Sequence, residues 1–151
     1  MRIFPKLSDL GPLVGQEVAV GDWFQIEQAR IDGFAEATND RQWIHVDVER
    51  AQRESPFKAT IAHGFLTLSL LPHLLDRELS FEGIRLIVNH GISRVRFPGA
   101  VKAGSRVRAR IGLAEYKATA AGAHVEWLVT VEREGEIKPA CIAGLLIWFY
   151  T

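Results

Sequence analysis

Ile61-Ala62-His63-Gly64-Phe65-Leu66-Thr67-Leu68-Ser69-Leu70-Leu71-Pro72-His73-Leu74-Leu75 is the stretch on which the fold turns. From His63 to about Leu79 it reads as one long helix, with Phe65, Leu66, Leu68, Leu70, Leu71, Leu74 and Leu75 spread almost all the way round it. A helix that is apolar on nearly every side has to be enclosed by other elements. Pro72, in its interior, bends it or leaves one carbonyl unpaired. The apolar run is too short to cross a bilayer, which takes about 20 residues.

What encloses the helix follows it in the chain. Ile84, Leu86 and Val88 open a strand that Val95 and Phe97 continue past a weak point at His90-Gly91. Val107, Ala109, Ile111 and Leu113 line one face of a second, and Val125, Trp127, Val129 and Val131 one face of a third. Ile137, Cys141, Ala143, Leu145, Ile147 and Phe149 give a fourth. Turns fall at Gly104, Gly122 and Glu134-Gly135-Glu136, so the pattern is an antiparallel meander. The expected fold is α+β, a curved antiparallel sheet wrapped round one long central helix. Ahead of that helix, Ile26, Ile31, Phe34, Ala35 and Ala37 have a loose helical spacing over 26–38. Asn39 suits the left-handed position that ends such a helix. Asp47 is placed to cap a short helix over roughly Val48–Glu54, which Ser55-Pro56 stops.

The 151 residues show no repeat and no Pro/Gly/Ser linker, so one domain over 1–151 is expected. Eighteen basic residues balance eighteen acidic ones, which leaves no global field to draw nucleic acid or an anionic membrane. Cys141 is the only cysteine, so an internal disulfide and a cysteine zinc cluster are both excluded. A lone thiol fits a reducing cytoplasm, and Met1–Asp9 has no uninterrupted apolar run of signal-peptide type. His73, His90 and His124 lie at no ligand spacing, so no metal is expected. There is no phosphate loop or dinucleotide fingerprint.

The chemistry gathers in Thr38-Asn39-Asp40-Arg41-Gln42-Trp43-Ile44-His45 and in His63-Gly64. Asp40 and His45 offer a carboxylate and an imidazole able to share one water. Gly64 offers a backbone N–H at a helix start, where partial positive charge collects. Base, acid and oxyanion donor together suit the addition of water to a polarised double bond. Taken singly, each residue also has a plain structural reading. Asp40 can end a helix, His45 can be a satisfied buried histidine, and Gly64 can be a steric necessity. His63 reads as bonding the turn before the helix, with a substrate contact as the lesser reading. Ser69 is either a pocket hydroxyl or a small packing residue.

Three blocks, Ala37–Asp47, Ala62–Leu68 and Val95–Val101, carry a resemblance to the hotdog-fold MaoC-like dehydratases, the (R)-specific enoyl-CoA hydratases, and within them to the single-domain NodN-like branch. The resemblance implies a hotdog fold. It implies Asp40 and His45 as catalytic dyad and Gly64 as the N–H that meets the thioester carbonyl. It implies an acyl-CoA thioester as substrate, no cofactor beyond that coenzyme, and a homodimer joined sheet edge to sheet edge. Asn39 stands where the family usually has Gly, and Gln42-Trp43 replaces the usual Asn-Pro. Gln42 keeps an amide able to orient a neighbour, while Trp43 adds bulk beside the pocket. Arg94, Arg96 and Arg106 are candidates for coenzyme A phosphates; the plainer reading makes them, with Arg108 and Arg110, a solvated strand face. The leading function is reversible hydration of trans-2-enoyl-CoA to (R)-3-hydroxyacyl-CoA. The alternatives are dehydration of 3-hydroxyacyl groups on acyl carrier protein, thioester hydrolysis, or acyl-thioester binding without turnover.

Overall fold

The computed structural model describes residues 1–151. The chain opens with β1 (Arg2–Phe4), a 3₁₀ segment at Leu7–Leu13, β2 (Glu17–Val20) and β3 (Phe24–Gln25). Five helices follow: α1 (Gln28–Thr38), α2 (Trp43–Val46), α3 (Val48–Glu54), α4 (Gly64–Ser69) and α5 (Leu71–Asp76). The remainder is strand: β4 (Leu79–Phe81), β5 (Leu86–Arg96), β6 (Arg106–Thr119), β7 (Gly122–Arg133) and β8 (Cys141–Tyr150).

The main sheet is antiparallel in the order β2-β6-β7-β8-β5, with β3 also pairing β6. The meander therefore holds for β6, β7 and β8 but not for β5, which joins the far side of β8. The chain must then cross the sheet's end between β5 and β6, and it does so through residues 97–105. That crossing segment becomes a wall of the site. β5 is bulged between Asn89 and Gly91, at the weak point expected from its sequence. β1 and β4 form a separate parallel pair, which the hydrophobic pattern did not disclose.

Alternation decides the two faces of the sheet. Val107, Ala109, Ile111 and Leu113 are buried against the helices, together with Val125, Trp127, Val129, Val131, Ala143 and Leu145. The intervening arginines of β6 face out and are ion-paired: Arg106 with Glu134, Arg108 with Glu132 at 2.7 Å and Arg110 with Glu17 at 2.6 Å. Ile137 lies fully exposed in the β7–β8 turn rather than in a strand. Trp148 faces outward, stacked between His90 and His124.

The expected central helix is present but interrupted: α4 and α5 meet at Leu70, which keeps right-handed helical dihedrals. Pro72 has no N–H to give the Leu68 carbonyl, so helical order breaks at Leu70, whose N–H is shared between the Leu66 and Thr67 carbonyls at 3.1 and 3.3 Å. Helix ends at Asp76 because Leu79 enters β4. Enclosure is also one-sided. Leu66, Leu70, Leu71, Leu74 and Leu75 are buried, each worth about 1.5–3 kcal/mol, but Phe65, Ser69, Pro72 and His73 stay exposed. Asn39 ends α1 at φ 60°, and the Asp47 carboxylate caps α3 by accepting from the Arg50 N–H at 2.9 Å. No helix is long and apolar enough to cross a membrane.

Candidate active site

α1 delivers Asp40. Thr38 folds its hydroxyl onto the Phe34 carbonyl, Asn39 takes the left-handed turn, and Asp40 emerges with its side chain about half exposed. α2 delivers His45, whose N–H bonds the Gln42 carbonyl at 2.9 Å. The segment is held from outside its own helix. Gln28 donates to the His45 carbonyl at 2.8 Å and accepts from Thr60, while the Ile61 N–H reaches the Ile44 carbonyl at 3.1 Å.

The His45 ring is buried, with Nδ1 2.7 Å from the Ile61 carbonyl. A carbonyl only accepts, so Nδ1 carries the proton and Nε2 of the neutral ring keeps its lone pair. His63 obeys the same logic. Its Nε2 lies 2.9 Å from the Asp40 backbone oxygen and donates to it, 4.0 Å from Asp40 Oδ2. The His63 ring stacks on the His45 ring at 3.8 Å between centroids, and its Nδ1 is sealed in the interior with no partner. His63 therefore touches both members of the expected dyad, a larger part than turn support alone.

An Asp40 carboxylate oxygen and ring nitrogens of His45 and His63 lie within 4.8 Å of one another. Two groups bonded to one water at about 2.8 Å each stand roughly 4.6 Å apart, so the spacing suits a shared water. A metal ion needs donors converging to about 2.0–2.2 Å. Here His63 Nε2 donates to a carbonyl and its Nδ1 is sealed in the interior, so His63 has no lone pair to turn toward a shared ion.

A cavity of about 340 Å³ opens beside this group, lined by His45, Gly64 and Thr67 and walled by Phe97–Val101 of the crossing segment. Gly64 begins α4, and no carbonyl of the chain accepts its N–H. A Cβ at Gly64 would stand 3.1 Å from the Phe97 ring, so the residue's small size also admits that wall. Arg133 clamps the same wall, donating to the Ala100 carbonyl at 2.9 Å and to Lys138 at 2.9 and 3.1 Å, with its guanidinium laid against Gly99.

The other expected residues stand apart from the cavity. Ser69 is exposed and folds onto the Phe65 carbonyl at 2.7 Å. The Gln42 side chain is exposed and bonds nothing in the chain. Trp43 lies under Arg50, 4.4 Å from guanidinium to ring, and does not line the pocket. Arg94 is exposed without an ion pair, Arg96 donates to the Val95 carbonyl at 2.8 Å, and Arg106 is held by Glu134. Sequence reasoning passed over Gln28, Thr60, Thr67 and Arg133. Only Thr67 was within its reach, since a residue three after Gly64 shares its helix face.

Residues 9–134 match the family model described as a MaoC like domain. The chain is 45% identical over 148 residues to 3-hydroxyacyl-thioester dehydratase Z of Mycobacterium tuberculosis, covering 97% of both chains. It is 46% identical over 146 residues to Nodulation protein N of Rhizobium leguminosarum bv. viciae, covering 92% of this chain and 88% of that protein. Among solved structures, the R-hydratase PhaJ1 of Pseudomonas aeruginosa superposes with a TM-score of 0.73 at 25% identity, over 91% of this chain and 81% of that one.

Proposed function

Because this chain belongs to the MaoC-like dehydratase family, a family of hydro-lyases with the hotdog fold, we propose that it hydrates trans-2-enoyl-CoA reversibly to (R)-3-hydroxyacyl-CoA, with Asp40 and His45 as its catalytic pair. One observation carries the reading. An Asp40 carboxylate oxygen lies within 4.8 Å of a His45 ring nitrogen, and His45 lines a cavity together with Gly64, whose backbone N–H no carbonyl of the chain accepts.

The chemistry follows from those atoms. The enoyl thioester lies with its carbonyl oxygen toward the Gly64 N–H and its Cβ toward the water. As hydroxyl joins Cβ, electrons move onto the thioester oxygen, and the Gly64 donor meets the charge that develops there. The pair removes one proton from the water and delivers one to Cα, so the atoms of water are all accounted for. Asp40 is the principal base. His45 presents Nε2 for the proton traffic because its Nδ1–H is spent on Ile61. Acid, base and donor all come from the protein, and coenzyme A enters only as part of the substrate. The reverse reaction is the dehydration named for the mycobacterial relative, and a carrier-protein thioester is the alternative substrate.

Two finer features belong to the same reading. Arg96 is the best placed of the three arginines for coenzyme phosphates, because it adjoins Phe97 at the cavity wall and is bound only to its neighbour's carbonyl. A homodimer is supported by β5, an edge strand on which Leu86, Ile87 and Ile92 are exposed.

The test is the loss of conjugated-thioester absorbance when crotonyl-CoA is added, with thiol release followed in parallel to detect hydrolysis. Asp40→Asn and His45→Gln are each expected to lower kcat by several decades without unfolding the protein. Near-normal turnover in either variant rejects the assignment of the pair.

A further inference from the structure

Helices α1 and α4 carry three hydroxyl side chains, and two behave as helical hydroxyls ordinarily do. Thr38 donates to the Phe34 carbonyl and Ser69 to the Phe65 carbonyl, both at 2.7 Å, each folding back on the residue four places earlier. Thr67 departs from this. The corresponding acceptor, the His63 carbonyl, takes the Thr67 N–H at 3.2 Å, and no group of the protein engages the hydroxyl. Thr67 is only 5% exposed, and it lines the cavity shared by His45 and Gly64. The one fully sealed side-chain polar atom left without a partner is His63 Nδ1, so the Thr67 hydroxyl keeps contact with the cavity.

A hydroxyl that no protein group engages, on a side chain otherwise buried, contributes nothing to the packing that valine, of the same shape, would not. The residue type is explained if something entering the cavity takes the bond. Helix geometry says where that bond is made. Residues three apart share a face, and side chains tilt toward the helix N-terminus. The Thr67 side chain therefore overhangs the turn that begins with Gly64.

We propose that Thr67 contacts the substrate, its hydroxyl donating a second hydrogen bond to the thioester oxygen that the Gly64 N–H reaches. The proposal rests on the hydratase reading above and adds a catalytic residue to it. A hydroxyl rotor follows the oxygen as charge builds, so its bond is strongest in the transition state. That is the condition for a donor to raise kcat rather than merely tighten binding.

Thr67→Val removes the hydroxyl and keeps the shape; Thr67→Ser keeps the hydroxyl and removes a methyl. With crotonyl-CoA, Thr67→Val is expected to lose on the order of 10²-fold in kcat with little change in KM, while Thr67→Ser stays within about tenfold of wild type. A second readout isolates the carbonyl. An aryl-acryloyl-CoA chromophore absorbs at longer wavelength when its carbonyl is polarised, and that red shift on binding should shrink in Thr67→Val and persist in Thr67→Ser. Wild-type turnover in Thr67→Val overturns the proposal, as does a slow Thr67→Val with an undiminished red shift. A wild-type protein that never hydrates crotonyl-CoA, yet gives a red shift dependent on Thr67, refutes the hydratase reading and upholds the carbonyl contact.

Discussion

Replacing His63 by Phe should leave a protein nearly as stable as the parent, or more so, and yet slow. Phe keeps a flat ring against His45, 3.8 Å away between centroids, and against Phe34 at 5.0 Å. It deletes the Nε2–H bond to the Asp40 carbonyl and also the stranded Nδ1. The lost bond is worth about 0.5–1.5 kcal/mol, and the Asp40 carbonyl, on an exposed residue, can turn to water instead. Removing an unsatisfied buried nitrogen returns about 1–3 kcal/mol. The net effect lies between a loss of about 0.5 and a gain of about 2.5 kcal/mol. At roughly 2–4 °C per kcal/mol for a domain of this size, Tm should fall by no more than about 2 °C and can rise by about 10 °C. Activity runs the other way. Besides the bond from His63, the Asp40 backbone is held only by a 3.4 Å contact from its N–H to the Thr38 hydroxyl. A shift of about 1 Å in a reacting group can cost on the order of 10²-fold. Thermal melts and crotonyl-CoA turnover measured on one preparation decide the matter. Full activity would show that the His63 tether does not position Asp40, and a large drop in Tm would show that Nδ1 has a partner in solution.

Three further outcomes follow from other parts of the molecule. A Cβ at position 99 would stand 2.6 Å from Arg133 Cζ, so Gly99→Ala should displace the guanidinium, cost about 1–3 kcal/mol in denaturant melts and lower kcat through the loosened cavity wall. Arg96→Ala should raise KM for acyl-CoA thioesters and leave that for N-acetylcysteamine thioesters, which lack phosphates, unchanged; equal effects on both would end its role as a phosphate contact. Burial pushes the Cys141 thiol up from 9.0 to about 11. The folded state thus holds the proton more tightly than the unfolded chain, and stability present below about pH 9 is lost as pH rises toward about 11. Urea midpoints at the two ends of that range should fall further for the parent than for Cys141→Ala, in which the titrating group is gone.

Features encoded by local spacing were legible in the sequence. The inward faces of β6, β7 and β8 follow from alternation alone, and Asn39 and Asp47 occupy the helix-end positions that their side chains favour. The helix break was half legible. Pro72 announced a defect, but a shared N–H at Leu70 and an end at Asp76 depend on where β4 pairs. The position of β5 outside β8 was hidden, because the β-period fixes which face a residue takes and not which strand it meets. The site divides similarly. Asp40, His45 and Gly64 stood out as residue types capable of the chemistry; His45 and Gly64 line the cavity, and Asp40 stands beside His45 without lining it. Their supports did not stand out. Gln28 reaches His45 across 17 positions and Thr60 across 32, and Arg133 reaches Ala100 across 33, distances at which one sequence carries no pairing signal.

The break at Pro72 bears on how the site handles charge. A helix running from Gly64 past Asp76 would bring a substantial macrodipole to the thioester oxygen. α4 has six residues, about 9 Å of helix, and α5 continues from Leu70 in the right-handed helical region, so the dipole is interrupted and weakened at Pro72 rather than extended to full length. On the proposed hydratase mechanism, the developing enolate would then depend chiefly on individual donors at hydrogen-bond distance, and such donors work only when held still. The supports are arranged for that. The crossing segment pairs with the site through the Ala62 N–H and Val101 carbonyl at 2.7 Å and the Ala103 N–H and Thr60 carbonyl at 2.9 Å, and Arg133 pins its far side. Loosening this wall should therefore lower kcat even where no reacting group is touched, whereas a site that relied on a long helix's field would tolerate it.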